Sequence, residues 1–538
     1  MLFTTASSIK SRLFRVMAAA FAAALTSCVD IDYRLGESLV PGNQMFTVHT
    51  ADIPVNEFSL QLPDSLTGYS SRRITIGAVR DEHFGLSTRS CALALVPLTP
   101  AMDFGEDPEF ISFHFSAELD TVSVRTASQA CILQNLHVYE LDRPIRTGAD
   151  HGGLEPMPHG NVSIVRRTPV VNGSDSLSLD FTEEYGRRFL TLTDEEKSDY
   201  SKYIQRFPGI YIEAEPPMRE GGRINIFKLQ FDYDSSYGYY LGNYAILHTR
   251  GRYNGVVKDS LFCFLLGADN FYKADSLLTN SATGAFPEYA LNMHTCSTAP
   301  VPLIEGDIKV EGGAGPKPVL HALYLRRLVR ETIAAQGGDP DKAVVNKATL
   351  VLPYEVPEDF NLYADVLSPT VRFTSDDSAV FMNITDASSS EENQGDIDLG
   401  TKSYRPDITY HLQAILDIKE DQVEEKFKTG NYDIWLMIKK YEKLTTNTST
   451  QSINDYNQQL AYQNYYYQMY GYGGYGGYGY NDYYSNYYYW SSMNTSASTS
   501  STSTQLLLDQ DRYYCTILNG ASQARHPMLE LTYSLPID

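Results

Sequence analysis

Through most of the chain, apolar residues come in short runs with polar neighbours alternating among them, and clusters of Gly, Pro, Asn and Asp interrupt the runs. Alternation built on β-branched and aromatic residues is the repeat of a half-buried strand, not of a helix. Between about 57 and 270 the strands read most clearly at Arg73-Ile-Thr-Ile76, Phe110-Ile-Ser-Phe-His-Phe115, Leu136-His-Val-Tyr139 and Ile210-Tyr-Ile-Glu213. From about 295 to 538 they read at Ala348-Thr-Leu-Val-Leu352, Val371-Arg-Phe-Thr374, Tyr432-Asp-Ile-Trp-Leu-Met-Ile438, Tyr514-Cys-Thr-Ile-Leu518 and Met528-Leu-Glu-Leu-Thr-Tyr533. Helical spacing is rarer. Thr193-Asp-Glu-Glu196 forms a capping box ahead of Tyr200, Tyr203, Ile204 and Phe207, which predicts a helix over about 193–206, ended by Pro208-Gly209. Two further helices are expected, at about Leu325 to Gln336 before Gly337-Gly338 and at about Asp421 to Lys428 before Gly430. The expected fold is mainly β: two antiparallel β-sandwich or jelly-roll units, 57–270 and 295–538, joined by a linker over 271–294, with a few short helices.

Two stretches depart from this pattern. In residues 1–27, Lys10, Arg12 and Arg15 precede a short apolar run from Val16 to Leu25. Its length falls well below the ~20 residues that span a bilayer, so it reads as a secretory signal peptide. The run ends Leu25-Thr26-Ser27-Cys28, a lipobox in which the Cys28 thiol accepts diacylglycerol, and residues 28–56, with Gly36, Pro41, Gly42 and Pro54, read as a tether. The second stretch spans 445–504. Tyr456 to Trp490 is built of Tyr, Gly, Asn and Gln, and Ser491 to Thr504 is nearly all Ser and Thr. It offers few aliphatic residues to bury, which predicts a disordered insertion in a hairpin loop. Tyr465, Tyr466, Tyr467, Tyr470, Tyr472, Tyr475, Tyr478, Tyr480, Tyr483, Tyr484, Tyr487, Tyr488 and Tyr489 are its candidate binding rings, each with an apolar face and a hydroxyl.

Composition narrows the function. Lys and Arg number 43 against 66 Asp and Glu, a formal charge of −23, which repels a phosphate backbone and excludes nucleic acid as a partner. After Cys28 the remaining thiols are Cys91, Cys131, Cys263, Cys296 and Cys515, an odd set in apolar or strand-like surroundings, expected as buried thiols. No C-x-x-C and no H-E-x-x-H occurs, so no metal site, cofactor or catalytic residue is assigned. Gly312-Gly-Ala-Gly315-Pro-Lys317 places glycines near a lysine, but no Ser or Thr follows and Pro flanks Lys317 on both sides, which argues against a phosphate loop. Gly520-Ala-Ser522-Gln-Ala524 reads as a turn, not a nucleophile elbow. Asp232-Tyr-Asp234 and the run from Glu391-Glu392 through Asp396 and Asp398 read as solvated turns in preference to calcium loops. Triplets such as Asp64-Ser65-Leu66, Asp120-Thr121-Val122 and Asp259-Ser260-Leu261 resemble O-glycosylation acceptors, though the same chemistry starts strands.

The lipobox, Leu35-Gly36, Leu39-Val40-Pro41, Ile76-Gly77, Asp81, Phe84-Gly85 and Phe207-Pro-Gly209-Ile-Tyr-Ile212 resemble a Bacteroidota outer-membrane lipoprotein family of unknown function. Asn346-Lys-Ala-Thr-Leu350 and His526-Pro-Met-Leu-Glu-Leu-Thr-Tyr533 are similar to jelly-roll domains related to carbohydrate-binding modules, with Arg525 one position from where those domains place it. The resemblance implies a β-sandwich held at the outer membrane by lipid, surface-exposed, and carries over no catalytic residue. The expected function is a non-enzymatic interaction or scaffold module in an outer-membrane or surface protein complex. The alternative is a glycan-binding lipoprotein, and a hydrolase is a distant third.

Overall fold

The computed structural model describes residues 46–66, 68–70, 73–98, 101–124, 127–145, 152–229, 231–234, 239–242, 244–267, 270–271, 290–297, 306–356, 362–375, 378–384, 393–446 and 501–537. Cys28, the signal peptide, most of the tether and the Tyr-rich run lie outside the described residues. The fold is mainly β, antiparallel, in the β-sandwich class. Residues 50–533 belong to one compact unit, and a small second unit comprises, among the described residues, 46–49 and 534–537. In the small unit the Thr47 hydroxyl donates to Leu535 O at 3.4 Å.

Within the large unit the first sheet runs His159–Ser163, Gln134–Leu141, Ile210–Ala214, Gly85–Leu93, Arg73–Asp81, Gly221–Lys228 and Leu119–Val124. A second runs Leu177–Asp180, Glu106–Ala117, Tyr244–Tyr253, Val256–Leu266 and Leu95–Pro97. Their facing residues close a sandwich: Ile74, Ile76, Leu93, Val138 and Ile212 from one sheet share a core with Phe113, Phe115, Leu247 and Phe264 from the other. Phe113 sits at its centre, its ring centroid 4.7 Å from Phe181 and 5.2 Å from both Phe189 and Phe264.

Further along the chain, Ser59–Gln61, Lys317–Leu320, Ile434–Thr446, Val366–Ser375 and Ser378–Asn383 make a third sheet, with Ser501–Leu508 paired to Ile434–Thr446. Trp435, Met437, Val319, Phe381 and Leu66 form its core. Phe46–Pro54, Met528–Pro536, Val344–Pro353, Ser403–Tyr404 and Ile397–Asp398 make a fourth, so the stretch expected as a tether over 28–56 is a strand at 46–54, where alternating residues of Phe46-Thr-Val-His-Thr-Ala-Asp-Ile-Pro54 suit a sheet. Residues from early and late in the chain also share a core, in which Val79, Phe84, Ile224 and Ile226 pack with Leu362, Tyr513 and Cys515. Ala290–Cys296, which the sequence reading divides between the linker and the second unit, is a strand beside Gly85–Leu93, with Leu291 and Met293 buried.

The expected helix at 193–206 is two. Thr193 and Glu196 make the capping box of Asp194–Ser198, and Tyr200–Arg206 follows. The break falls at Asp199, whose backbone is extended so that its carboxylate can cap Ser201 N at 2.9 Å. Ala322–Ala335 ends as expected at Gly337, which takes φ +83 while Gly338 N donates to Ile333 O and Gly337 N to Ala334 O. Glu183–Leu190 and Thr409–Leu416 are helices the sequence reading did not find.

Candidate functional site

Ile434–Thr446 and Ser501–Leu508 form a long antiparallel hairpin in unbroken register, from Lys439 opposite Leu508 to Thr446 opposite Ser501. Thr446 and Ser501, the residues on either side of 447–500, therefore face each other at its tip. The thirteen candidate tyrosines, Tyr465 to Tyr489, fall inside that segment and outside the described residues. Composition placed the insertion's limits at 445 and 504, but Ser501, Thr502, Ser503 and Thr504 continue the strand opposite Thr446, Thr445, Leu444 and Lys443. Thr is at home on a pleated surface once a partner strand supplies the ladder, so a Ser/Thr run can lengthen a hairpin.

The base of the hairpin is fixed by charge. Lys440 Nζ lies 2.6 Å from Asp511 Oδ2 and 3.6 Å from Asp509 Oδ1. The other Asp509 oxygen accepts from Tyr514 Oη at 2.6 Å. Asp511 also meets Arg73 Nη1 at 3.2 Å, and Arg73 Nε reaches Asp120 at 3.0 Å, so an ion-pair chain runs from the hairpin to the first sheet. Burial alone would lower the Lys440 ammonium, but Asp509 and Asp511 outweigh it and hold it above the ordinary lysine range. Such partly buried, multiply bonded pairs hold position better than exposed single ones.

A second cluster is fully enclosed. Ser87 and Arg89 stand on Gly85–Leu93, His294 lies directly opposite Arg89, Glu311 ends Ile308–Glu311 and Lys317 begins Lys317–Leu320. All five side chains are buried. Ser87 Oγ donates to Glu311 Oε1, and Lys317 Nζ donates to Gly313 O at 2.9 Å and Gly315 O at 2.6 Å. Arg89 Nε and Nη2, His294 Nδ1 and Glu311 Oε2 have no hydrogen-bond partner. Burial raises the Glu311 carboxyl and lowers the Lys317 ammonium; it also drives His294 far below the usual imidazole range, with Arg89 and Lys317 adding to that shift.

The glycines of the 312–315 turn serve this cluster. Gly313 has φ +59, and a Cβ there would overlap Arg89 Nη2 and His294 Nδ1; one at Gly315 would overlap Glu311 Oε2. The motif that imitates a phosphate loop is thus a lid over buried charges, and its lysine bonds inward to the turn's own carbonyls. Arg89 and His294 escaped the sequence reading because an alternating strand predicts that its polar residues face water. A small recess beside this turn is lined by Gly313, Lys317, Met437, Leu508 and Asp509.

The remaining candidates resolve into structural roles. Asp398 accepts from the backbone of Gly400 and Thr401 in a turn, and Asp396 accepts from Tyr441 Oη at 3.2 Å. Asp232 and Asp234 lie in Phe231–Asp234, paired with Tyr239–Gly242, while Glu391 and Glu392 lie outside the described residues. Among the described residues no three His, Cys, Asp or Glu side chains converge as metal ligands. Cys91 and Cys515 are buried and Cys263 and Cys296 half-buried, but Cys131 is exposed, because Ala130 and Cys131 form the turn before Gln134–Leu141. Tyr139, His159 and Tyr211 stack at 4.8 and 4.2 Å, each covering its neighbour's face, so the stack presents mainly ring edges. Comparison with known protein families, with curated proteins and with solved structures finds no match to this chain.

Proposed function

We propose that this chain is a non-enzymatic, lipid-anchored interaction module at the outer membrane, surface-exposed, which presents its Tyr-rich segment to a protein partner in an outer-membrane or surface complex. The observation that carries this reading is the register of the Ile434–Thr446 and Ser501–Leu508 hairpin, which sets Thr446 and Ser501, on either side of 447–500, opposite each other at the tip of a strand pair whose base is held by Lys440, Asp509 and Asp511. Closing a loop of that length costs little more than closing a short one, since each doubling adds only about 0.6 kcal/mol. The hairpin can carry the segment without relying on it for stability. Tyrosine suits such a segment, because a ring buries much area for two side-chain torsions and keeps a hydroxyl for hydrogen bonding.

The lipobox supplies the other half of the reading, since Cys28 would begin the mature chain and residues 29–45 lie between it and Phe46–Pro54, the first strand along the chain. Membrane fractionation tests the anchor: wild type is expected in the outer-membrane fraction, and Cys28→Ala in the soluble one. A Cys28→Ala protein that sediments with membranes as wild type does would remove the anchor from the proposal.

A further inference from the structure

Lys439 stands at the base of the hairpin, opposite Leu508 on one side and Val366 on the other. It is buried, with 3% of its surface exposed, and its Nζ donates to the Asn383 carboxamide oxygen. Asn383 is the last residue of Ser378–Asn383, the strand on the far side of Val366–Ser375. No carboxylate forms an ion pair with Lys439 among the described residues. Burial alone pushes its ammonium down to about 7, so a large share of the side chain is a neutral amine near neutral pH, the nucleophilic form.

The register places these groups on one face. Directly opposed residues of antiparallel strands share a face, as do alternate residues along a strand. Lys439 lies opposite Val366, Met437 opposite Ser368, and Asn383 opposite Thr370. Ser368 therefore sits between the row of the amine and the row of the carboxamide. It is fully buried, and its Oγ has no hydrogen-bond partner. Met437, Trp435 and Phe381, from the same patch of the sheet, pack together as core and keep water away.

We propose that Lys439 and Asn383 join in an intrachain isopeptide bond. The lone pair of the neutral Lys439 Nζ adds to Asn383 Cγ, and the bond from Cγ to Nδ2 breaks. A proton from Nζ passes to the departing nitrogen, which leaves as ammonia. The product is a secondary amide. Nothing is oxidised or reduced, no further reactant enters, and the chain loses the mass of one ammonia. The bond ties Ile434–Thr446 to Ser378–Asn383 across the strand between them, clamping the base of the hairpin and closing the chain from 383 to 439 in the unfolded state, where a covalent link stabilises most. This link does not depend on what the Tyr-rich segment binds, and either idea can fail alone.

The test is peptide mass spectrometry on the purified full-length chain, denatured and digested after folding. The expected result is one species joining the peptides that carry Lys439 and Asn383, lighter than their sum by one ammonia, and absent from Lys439→Met and from Asn383→Ala. Because the decisive digest is of wild type, a variant that fails to fold leaves the result standing. Recovery of both peptides unlinked from folded wild type overturns the proposal, and so does loss of ammonia without a linked peptide, since cyclisation of Asn383 onto its own backbone would account for it.

Discussion

An Arg223→Met chain is expected to lose about 3–5 kcal/mol of folding stability, a large share of what a domain has. Arg223 is wholly buried on Gly221–Lys228, between Ala78 on one neighbouring strand and Val124 on the other. Its Nε donates to Asn225 Oδ1 at 2.6 Å, Nη2 to Val171 O at 2.6 Å and Nη1 to Ile132 O. Asn225 Nδ2 in turn donates to Ile76 O and Gln134 Oε1, and Gln134 Nε2 donates to Ala78 O and to Arg223 O, both at 3.1 Å. The charge is held by carbonyl and amide oxygens, without a carboxylate. Methionine keeps the length of the side chain and deletes every donor, so the Val171 carbonyl and the Asn225 amide oxygen, both in buried bonds, would be dry and unbonded, each at a cost of about 1–3 kcal/mol. The urea midpoint should fall steeply with an unchanged slope. A loss below about 1 kcal/mol would mean that water reaches the network, against the packing described above.

Acid should destabilise the fold through its buried histidines. His411 is buried on Thr409–Leu416 with Nε2 2.9 Å from Tyr432 O, and burial pushes its imidazole down to about 4. The folded state therefore refuses a proton that the unfolded chain accepts near pH 6.5. Its contribution is fully present above that value and is lost as pH falls toward 4, at about 1.4 kcal/mol per pH unit and about 3 kcal/mol in all. His294 acts in the same direction, whereas the raised Glu311 opposes it, because the folded chain holds that proton more tightly than the unfolded one. A difference measurement separates these terms. His411→Gln keeps a donor for Tyr432 O and removes the titration, so its stability between pH 7 and 4.5 should decline less steeply than that of wild type. Parallel curves would show that His411 is protonated in the folded state or reached by solvent.

Much of the fold was legible because its signals are local. The alternation at Arg73–Ile76 and Phe110–Phe115, the Thr193–Glu196 capping box and the Gly337 stop each report on a few neighbouring residues, and each appears where expected. Glu183–Leu190 carried a readable signal too, with Thr182 as cap and Tyr185 and Phe189 four residues apart on its buried face, but eight residues are too few for periodicity to stand out. The buried charges were not legible for a different reason. Arg223-Ile-Asn225-Ile and Ser87-Thr-Arg89-Ser read as strands with a wet polar face, and only a second layer of chain over that face, Gln134 in one case and the 312–317 turn in the other, makes those positions interior. That layer is a long-range fact. The same holds for Lys439 and Asn383, which are brought together through the strand between them.

The central claim, that the hairpin presents a Tyr-rich binding segment to a protein partner, is tested most directly by co-purification from native outer membranes. Three chains should be compared: wild type, one with 447–500 replaced by a short Gly/Ser turn, and one with Tyr465 to Tyr489 changed to serine throughout. The account predicts a stoichiometric membrane-protein partner with wild type, its loss from both altered chains, and thermal midpoints within a few degrees of one another. An unchanged partner with all three chains would contradict it, as would retention of wild type on polysaccharide with no protein partner.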